Sequence, residues 1–445
     1  MIVAGTEYTV DPVRWLAGNL SVPPDKSISH RAVILASLAK GQTHVRRCLL
    51  ADDCRRTLMA FAHLGVEMDP TPDRLTGAEG DLVIRGCAMR LSAPDGPLDM
   101  GNSGTSMRLL LGVLAGQAFE STLIGDASLS SRPMHRVVDP LRQMGAAIDG
   151  RDGANHAPLT VRGGTLRGIN YRMPVTSAQV KSAILLAGLF ADGVTAVHEP
   201  MPTRDHTERM LPLFGVVSET EHGWARVRGG AMLKAPDAPF TVPGDFSSAA
   251  FWLVAGSIVP ESELVIRGVG FNPTRTAALA ILTRMGAFIE PPCGAASGAG
   301  RMEVSGDFQV AGRPLNGTVI EGVEVAQAID ELPILMVAAC CANGRTVIRN
   351  AGELRVKETD RITSMVTGLS RMGARIQAEG DDVIIEGPAT LVGCDVDSFG
   401  DHRTAMSLLI AGLVATGRTR VHGVECINIS YPNFLDTLRQ LTHGA

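Results

Sequence analysis

Residues 27–48 read SISHRAVILASLAKGQTHVRRC: a polar cluster, an apolar run of helical length, a glycine turn and a strand-like tail. The same order recurs as GTSMRLLLGVLAGQAFESTLIG (104–125), SAQVKSAILLAGLFADGVTAVHE (177–199), DFSSAAFWLVAGSIVPESELVIRG (245–268), AIDELPILMVAACCANGRTVIRNA (328–351) and GDHRTAMSLLIAGLVATGRTRVHG (400–423). Self-similarity at a period of about 70 to 83 residues marks a duplicated supersecondary unit. In five copies the turn is centred on glycine (Gly41, Gly116, Gly193, Gly344, Gly417), which predicts a left-handed residue closing each helix. The fourth copy has SIVPES there instead.

A second helical pattern follows inside each unit: LMAFAHLGVEM (58–68), VVDPLRQMGAAI (137–148), MLPLFGVVS (210–218), LAILTRMGAFI (279–289), MVTGLSRMGARI (365–376) and FLDTLRQLTHG (434–444). All but the last are followed by strand-like sequence such as DDVIIEG. The predicted fold class is α/β, built from βαβαββ-type units. One such unit is too small to bury both of its helices, so six units predict two similar domains of three, with helices buried at the core.

Composition narrows the function. The chain has 445 residues, 45% hydrophobic and 20% charged, with a formal net charge of -5. No basic block or aromatic-interleaved basic stripe is present, which argues against a nucleic-acid partner. The eight cysteines (48, 54, 87, 293, 340, 341, 394, 426) form no CxxC pair and no Cys/His ligand spacing, so neither a zinc site nor a disulfide framework is expected. Residues 1–20 lack a basic region followed by a continuous apolar stretch, and runs such as SLLIAGLVA are too short to span a bilayer; no membrane partner and a cytoplasmic location are expected.

Each apolar helix starts among polar residues: Ser27, Ser29 and Arg31; Asn102, Ser103, Thr105 and Arg108; Ser177, Gln179 and Lys181; Asp245, Ser247 and Ser248; Asp330 and Glu331; Asp401, His402 and Arg403. Capping accounts for the small residues. It does not account for Arg or Lys in a first turn, where the helix dipole disfavours cations unless an anion lies between them. The repeated pattern therefore predicts a site for a strongly anionic ligand. Of 41 basic residues only five are lysines (Lys26, Lys40, Lys181, Lys234, Lys357), so Lys26 and Lys357, both in polar clusters, stand where arginine is this chain's default. Three more stretches carry charge: SLSSRPMHR (128–136) with Arg132 and Arg136, TRDHTERM (203–210) with Arg204, Asp205, His206 and Glu208, and ELRVKETDRITSM (353–365). No metal is expected at the second. A helix through the third would put Lys357, Glu358 and Arg361 in one quadrant.

The segments PPDKSISHRA (23–32), GNSGTSMR (101–108), SRPM (131–134), TSAQVKSA (176–183), RDHTE (204–208), PGDFSSAAF (243–251), IDELP (329–333), RVKETDR (355–361) and GDHRTAM (400–406) run in this order through nearly the whole chain. Together they closely resemble the enolpyruvyl transferases, in the branch acting on shikimate 3-phosphate. The resemblance implies transfer of the enolpyruvyl group of phosphoenolpyruvate to the 5-hydroxyl of shikimate 3-phosphate, with release of phosphate and without metal or organic cofactor. It implies two domains, residues 23–241 and residues 1–22 with 242–445, joined by a double-crossover hinge and closing over the substrates in a monomer.

Residue by residue, the resemblance carries shikimate 3-phosphate binding to Lys26, Ser27, Arg31, Ser177, Gln179, Arg204, Asp330 and Lys357. It carries phosphoenolpyruvate binding to Lys26, Gly104, Arg132, Gln179, Arg361 and Arg403. Lys26, Asp330 and Glu358 are the expected acid/base groups. Lysine suits proton transfer because its pKa moves under desolvation, whereas arginine effectively never releases a proton. Ala178 stands where one branch of the family has a second serine, and Ile429 where some members have a lysine. Gly104 matches the residue usual in glyphosate-sensitive members, so glyphosate is an expected inhibitor. The related UDP-N-acetylglucosamine enzymes usually carry a cysteine on a loop in the third unit, but residues 88–292 contain none.

Overall fold

The computed structural model describes residues 6–293 and 303–443. These fall into two compact units, one formed by residues 24–242 and the other by residues 6–23, 243–293 and 303–443. Each unit holds three small sheets and three core helices that are largely apolar after their first turn or two.

One βαβαββ plan is complete in the second, third and fifth repeats. In the second repeat the short strand Leu98–Asp99 leads through helix Gly104–Leu114 to the parallel strand Glu120–Ile124. Helix His135–Gln143 then leads to the hairpin Ala147–Gly150 and His156–Arg162, whose second strand returns beside Glu120–Ile124. The third repeat has the same order, Asn170–Arg172, Val194–His198, Trp224–Arg228, Ser218–Glu221, and so does the fifth, Val319–Ile320, Gly344–Ile348, Asp382–Gly387, Arg375–Glu379.

The first and fourth repeats depart from chain order. Strand Ala17–Ser21 directly precedes the first core helix, yet it pairs with Glu263–Gly270 of the fourth repeat. Phe240–Thr241 directly precedes the fourth core helix, yet it pairs with Lys40–Leu49 of the first. The sixth sheet, Asp395–Asp397 and Thr419–His422, takes its third strand, Glu7–Val10, from the N-terminal segment.

Core helices Lys26–Leu38, Phe246–Ile258, Leu332–Cys341 and His402–Gly412 are buried on every face over most of their length, as helices apolar all round must be. Close helix crossings set some glycines. A Cβ on Gly112 would lie 2.2 Å from the Ala183 carbonyl oxygen of helix Ala178–Gly188. Gly41, Gly193, Gly344 and Gly417 have the left-handed φ expected after their helices. Gly116 does not, and its reason is steric: a Cβ there would fall 2.3 Å from the Phe190 ring. No described helix is long and apolar enough to cross a membrane.

Candidate active site

In the unit formed by residues 24–242 the three core helices begin side by side. Helix Lys26–Leu38 is capped by Asp25, whose carboxylate accepts from the Ile28 amide at 2.8 Å. Ser27 was expected to be that cap. It lies instead inside the first turn, and its carbonyl accepts from Arg31 Nη1 at 2.9 Å. Arg31 also donates from Nε to Thr207 Oγ1 (2.8 Å) and from Nη2 to Ser182 Oγ (2.7 Å), tying the first repeat's helix to the third's. Gln179 joins the second and third repeats: its Oε1 accepts from Arg108 Nη1 at 2.7 Å and its Nε2 donates to Thr105 Oγ1 at 2.9 Å.

The second helix start is capped by Ser103 and the third by Ser177. Arg132 donates to Asn102 Oδ1 and to Ser128 Oγ. An added Cβ on Gly104 would meet Arg108 Nη1 at 2.9 Å and Arg132 Nη1 at 3.3 Å, so both guanidinium groups lie against this backbone. Arg204 is half-buried on the segment between strand Val194–His198 and helix His206–Met210.

Lys26 Nζ is 3.0 Å from Asp53 Oδ2, at the start of helix Asp52–His63. Beneath this pair runs a buried polar chain. His30 Nδ1 shares a 2.7 Å hydrogen bond with Thr57 Oγ1, Thr57 one of 2.7 Å with Ser106, and Ser106 donates to Ser103 Oγ at 2.7 Å. Burial, then the charges of Lys26 and Arg31, push His30 well below the usual histidine range, so the imidazole is neutral. Asp53, Thr207 and Ser182 were not anticipated. An acidic pair opening a helix reads from sequence as dipole compensation, and nothing in ADDCRR shows that one of its carboxylates faces Lys26.

Lys181 does not join this group of cations, although its place in a first turn predicted that it would. It is 1% exposed, and its ammonium contacts Glu199 (3.0 Å) and Glu208 (2.7 Å). Burial opposes its charge, but the two carboxylates outweigh it and raise its pKa.

In the other unit the helix starts are also joined. Ser247, in the helix capped by Asp245, donates to Glu331 at the start of Leu332–Cys341. Arg403 Nη1 donates to the Asp330 carbonyl at 2.8 Å, and its Nη2 lies 3.8 Å from Asp330 Oδ2. Arg361 is 1% exposed and meets three carboxylates: Asp401 (2.8 Å), Asp330 (3.3 Å) and Glu358 (2.5 Å). Burial weighs against its charge, but Asp401, Glu358 and Asp330 more than offset that, and Arg361 stays protonated. The buried Arg275, which links Ser247 (2.6 Å) to Asp245 (3.3 Å), was also missed, because TRTAA looks like an ordinary helix entry.

The expected helix through Lys357 and Glu358 is corrected. A 3-10 turn ends at Val356, Lys357 is extended, and the α-helix starts only at Arg361, capped by Asp360. The Glu358–Arg361 pair survives across that cap. Burial lowers the Lys357 pKa from the ordinary lysine value, with Asp330 and Glu353 acting in the opposite sense.

Residues 10–438 match the family described as EPSP synthase (3-phosphoshikimate 1-carboxyvinyltransferase). A 3-phosphoshikimate 1-carboxyvinyltransferase of Gloeobacter violaceus is 50% identical, with 98% of this chain and 99% of that relative covered. One of Bacillus cereus is 47% identical over 98% and 99%. The solved EPSP synthase of Acinetobacter baumannii superposes with a TM-score of 0.85 at 42% identity, over 98% of both chains. The enolpyruvyl transferase NikO of Streptomyces tendae, at 17% identity and a TM-score of 0.76 over 98% of both chains, shares the fold. With its helix starts joined in each unit and this likeness along almost its full length, the chain belongs to the EPSP synthase family.

Proposed function

We propose that this chain transfers the enolpyruvyl group of phosphoenolpyruvate to the 5-hydroxyl of shikimate 3-phosphate, in aromatic biosynthesis. Family membership over residues 10–438 gives the reaction. The structural observation that carries the assignment is the joining of Arg31, Gln179, Arg108 and Thr105 across the three helix starts of one unit. Both substrates bear phosphate and carboxylate, and cations beside helix N-termini suit such anions.

Lys26, Ser27, Arg31, Ser177, Gln179, Arg204, Asp330 and Lys357 are proposed to hold shikimate 3-phosphate. Lys26, Gly104, Arg132, Gln179, Arg361 and Arg403 are proposed to hold phosphoenolpyruvate. In the addition step the 5-hydroxyl oxygen bonds to C2 of the enol, Asp330 takes the hydroxyl proton, and protonated Glu358 delivers a proton to C3. In the elimination step Glu358 takes a proton back from C3, the C2–C3 double bond reforms, and the C2–O bond to phosphate breaks. Lys26 then protonates the departing phosphate oxygen. Arg361, fixed by Asp401, holds Glu358 and Asp330 in place through both steps.

The test is phosphate release from phosphoenolpyruvate with shikimate 3-phosphate, run beside UDP-N-acetylglucosamine. Release with the first acceptor alone is expected; release only with the sugar nucleotide would overturn the assignment. The proposal extends to a cytoplasmic monomer whose working domains are residues 23–241 and residues 1–22 with 242–445, and to glyphosate as a competitor of phosphoenolpyruvate. A methyl on Gly104 would press on the flexible ends of Arg108 and Arg132 and narrow that space. Gly104→Ala is therefore expected to weaken glyphosate inhibition more than it raises the KM for phosphoenolpyruvate, and unchanged inhibition would count against it.

A further inference from the structure

Lys181 is a buried lysine in a chain that otherwise favours arginine, and the reaction does not use it. Its ammonium joins three elements. Lys181 sits on core helix Ala178–Gly188, Glu199 follows strand Val194–His198, and Glu208 lies in helix His206–Met210. The segment between the two glutamates carries Arg204. Midway along it, next to Arg204, Thr203 Oγ1 donates to Glu199 Oε2 at 2.5 Å. Next in sequence to each end of the Lys181–Glu208 pair, Thr207 Oγ1 donates to Ser182 Oγ at 2.8 Å, and both hydroxyls accept from Arg31.

We propose that Lys181, Glu199, Glu208 and Thr203 form a clip that positions Arg204 for the phosphate of shikimate 3-phosphate; this rests on the function proposed above. Two buried carboxylates drawn together need a cation between them, and removing it leaves both uncompensated. An ammonium is a compact point charge on a flexible stem, so it sits between the Glu199 and Glu208 carboxylates at 3.0 and 2.7 Å, where a broader planar guanidinium would have to displace one of them. This requirement explains a lysine at position 181. The clip fastens the 200–205 segment at both ends and, through Thr203, beside the arginine itself. Because Ser182 of the same core helix and Thr207 of helix His206–Met210 also hold Arg31, the two shikimate-side arginines share one foundation.

The test is steady-state kinetics and melting of the full chain with Thr203→Val, Thr203→Ser, Lys181→Met, Lys181→Arg and, as reference, Arg204→Gln. Thr203→Val removes one hydroxyl and leaves the charges in place. It is expected to raise the KM for shikimate 3-phosphate by about fivefold or more, with kcat and the KM for phosphoenolpyruvate within about twofold. Thr203→Ser should restore the wild-type value, Lys181→Met should raise the same KM further, and Lys181→Arg should not rescue it. If Lys181→Met does not fold, the threonine pair decides. Three results overturn the clip: Thr203→Val with an unchanged KM while Arg204→Gln raises it, both KM values rising together with a lowered Tm, or Arg204→Gln leaving the KM unchanged. The last would also show that the residue assignment itself is wrong, whereas wild-type phosphate release reports on the reaction independently.

Discussion

Lys26 and Asp53 form a part-buried ion pair at the mouth of a helix, where a cation is otherwise disfavoured. In the role proposed above, the ammonium would serve both this carboxylate and an arriving substrate phosphate, and would give the phosphate a proton. Lys26→Arg keeps the charge and loses the usable acid. Its kcat is expected to fall by about a hundredfold or more, the scale of general acid catalysis, with thermal stability little changed. Turnover near that of the wild type would remove Lys26 from the chemistry.

His30, one turn below, is expected to make stability depend on pH. Its folded pKa lies well below the ordinary value near 6.5, so the unfolded chain binds the extra proton first as pH falls. The stabilisation is present above pH about 6.5 and is lost below it, at up to about 1.4 kcal/mol per pH unit. His30→Gln should therefore show a smaller drop in Tm between pH 7 and pH 5 than the wild type. An equal drop would mean that another group titrates. Such partners were not legible in SISHRA. Residue type marked Lys26 and His30 at once, but Asp53 and Thr57 reach them from a helix 27 positions downstream, and pairing at that range leaves no periodic trace in sequence.

At the scale of elements, the apolar core helices were plain because their runs are buried on all sides. Their boundaries were less so, since a helix starts where a side chain caps it, and that choice among neighbouring polar residues is made by geometry. Asp25 rather than Ser27, and Asp360 rather than a residue before Lys357, accept from the first-turn amides. Glycine was similarly ambiguous. It can mean a left-handed turn, as at Gly344, or a close approach, as at Gly116 and Gly112. Of these two, Gly112 is the stricter, since its clash is with the backbone of another helix, which cannot turn aside. Gly112→Ala should push helices Gly104–Leu114 and Ala178–Gly188 apart and destabilise by about 1–3 kcal/mol or more, as overpacking does. Urea unfolding measures this, and a variant as stable as the wild type would show that the crossing can relax.

Across the whole molecule the sixfold repeat was legible, but the ownership of its first strands was not. Chain order assigns Ala17–Ser21 to the first repeat and Phe240–Thr241 to the fourth; the pairing exchanges them. Strand pairing over 195 positions in one case and 246 in the other is decided by which sheet has an open edge, and two or five residues of ordinary strand sequence carry no such information. The exchange has a consequence for dissection. Residues 24–242 contain every strand of their three sheets, so this fragment is expected to melt cooperatively by itself. Residues 243–445 lack both Glu7–Val10 and Ala17–Ser21, which leaves Thr419–His422 and Glu263–Gly270 each with an unpaired edge. Unpaired edges recruit other chains. The 243–445 fragment should therefore aggregate, and the same fragment with residues 6–23 fused to its end through a Gly/Ser linker should be monomeric with a single melting transition. Light scattering and circular dichroism separate the two, and equal behaviour of both fragments would mean that the N-terminal strands are ornament rather than part of the fold.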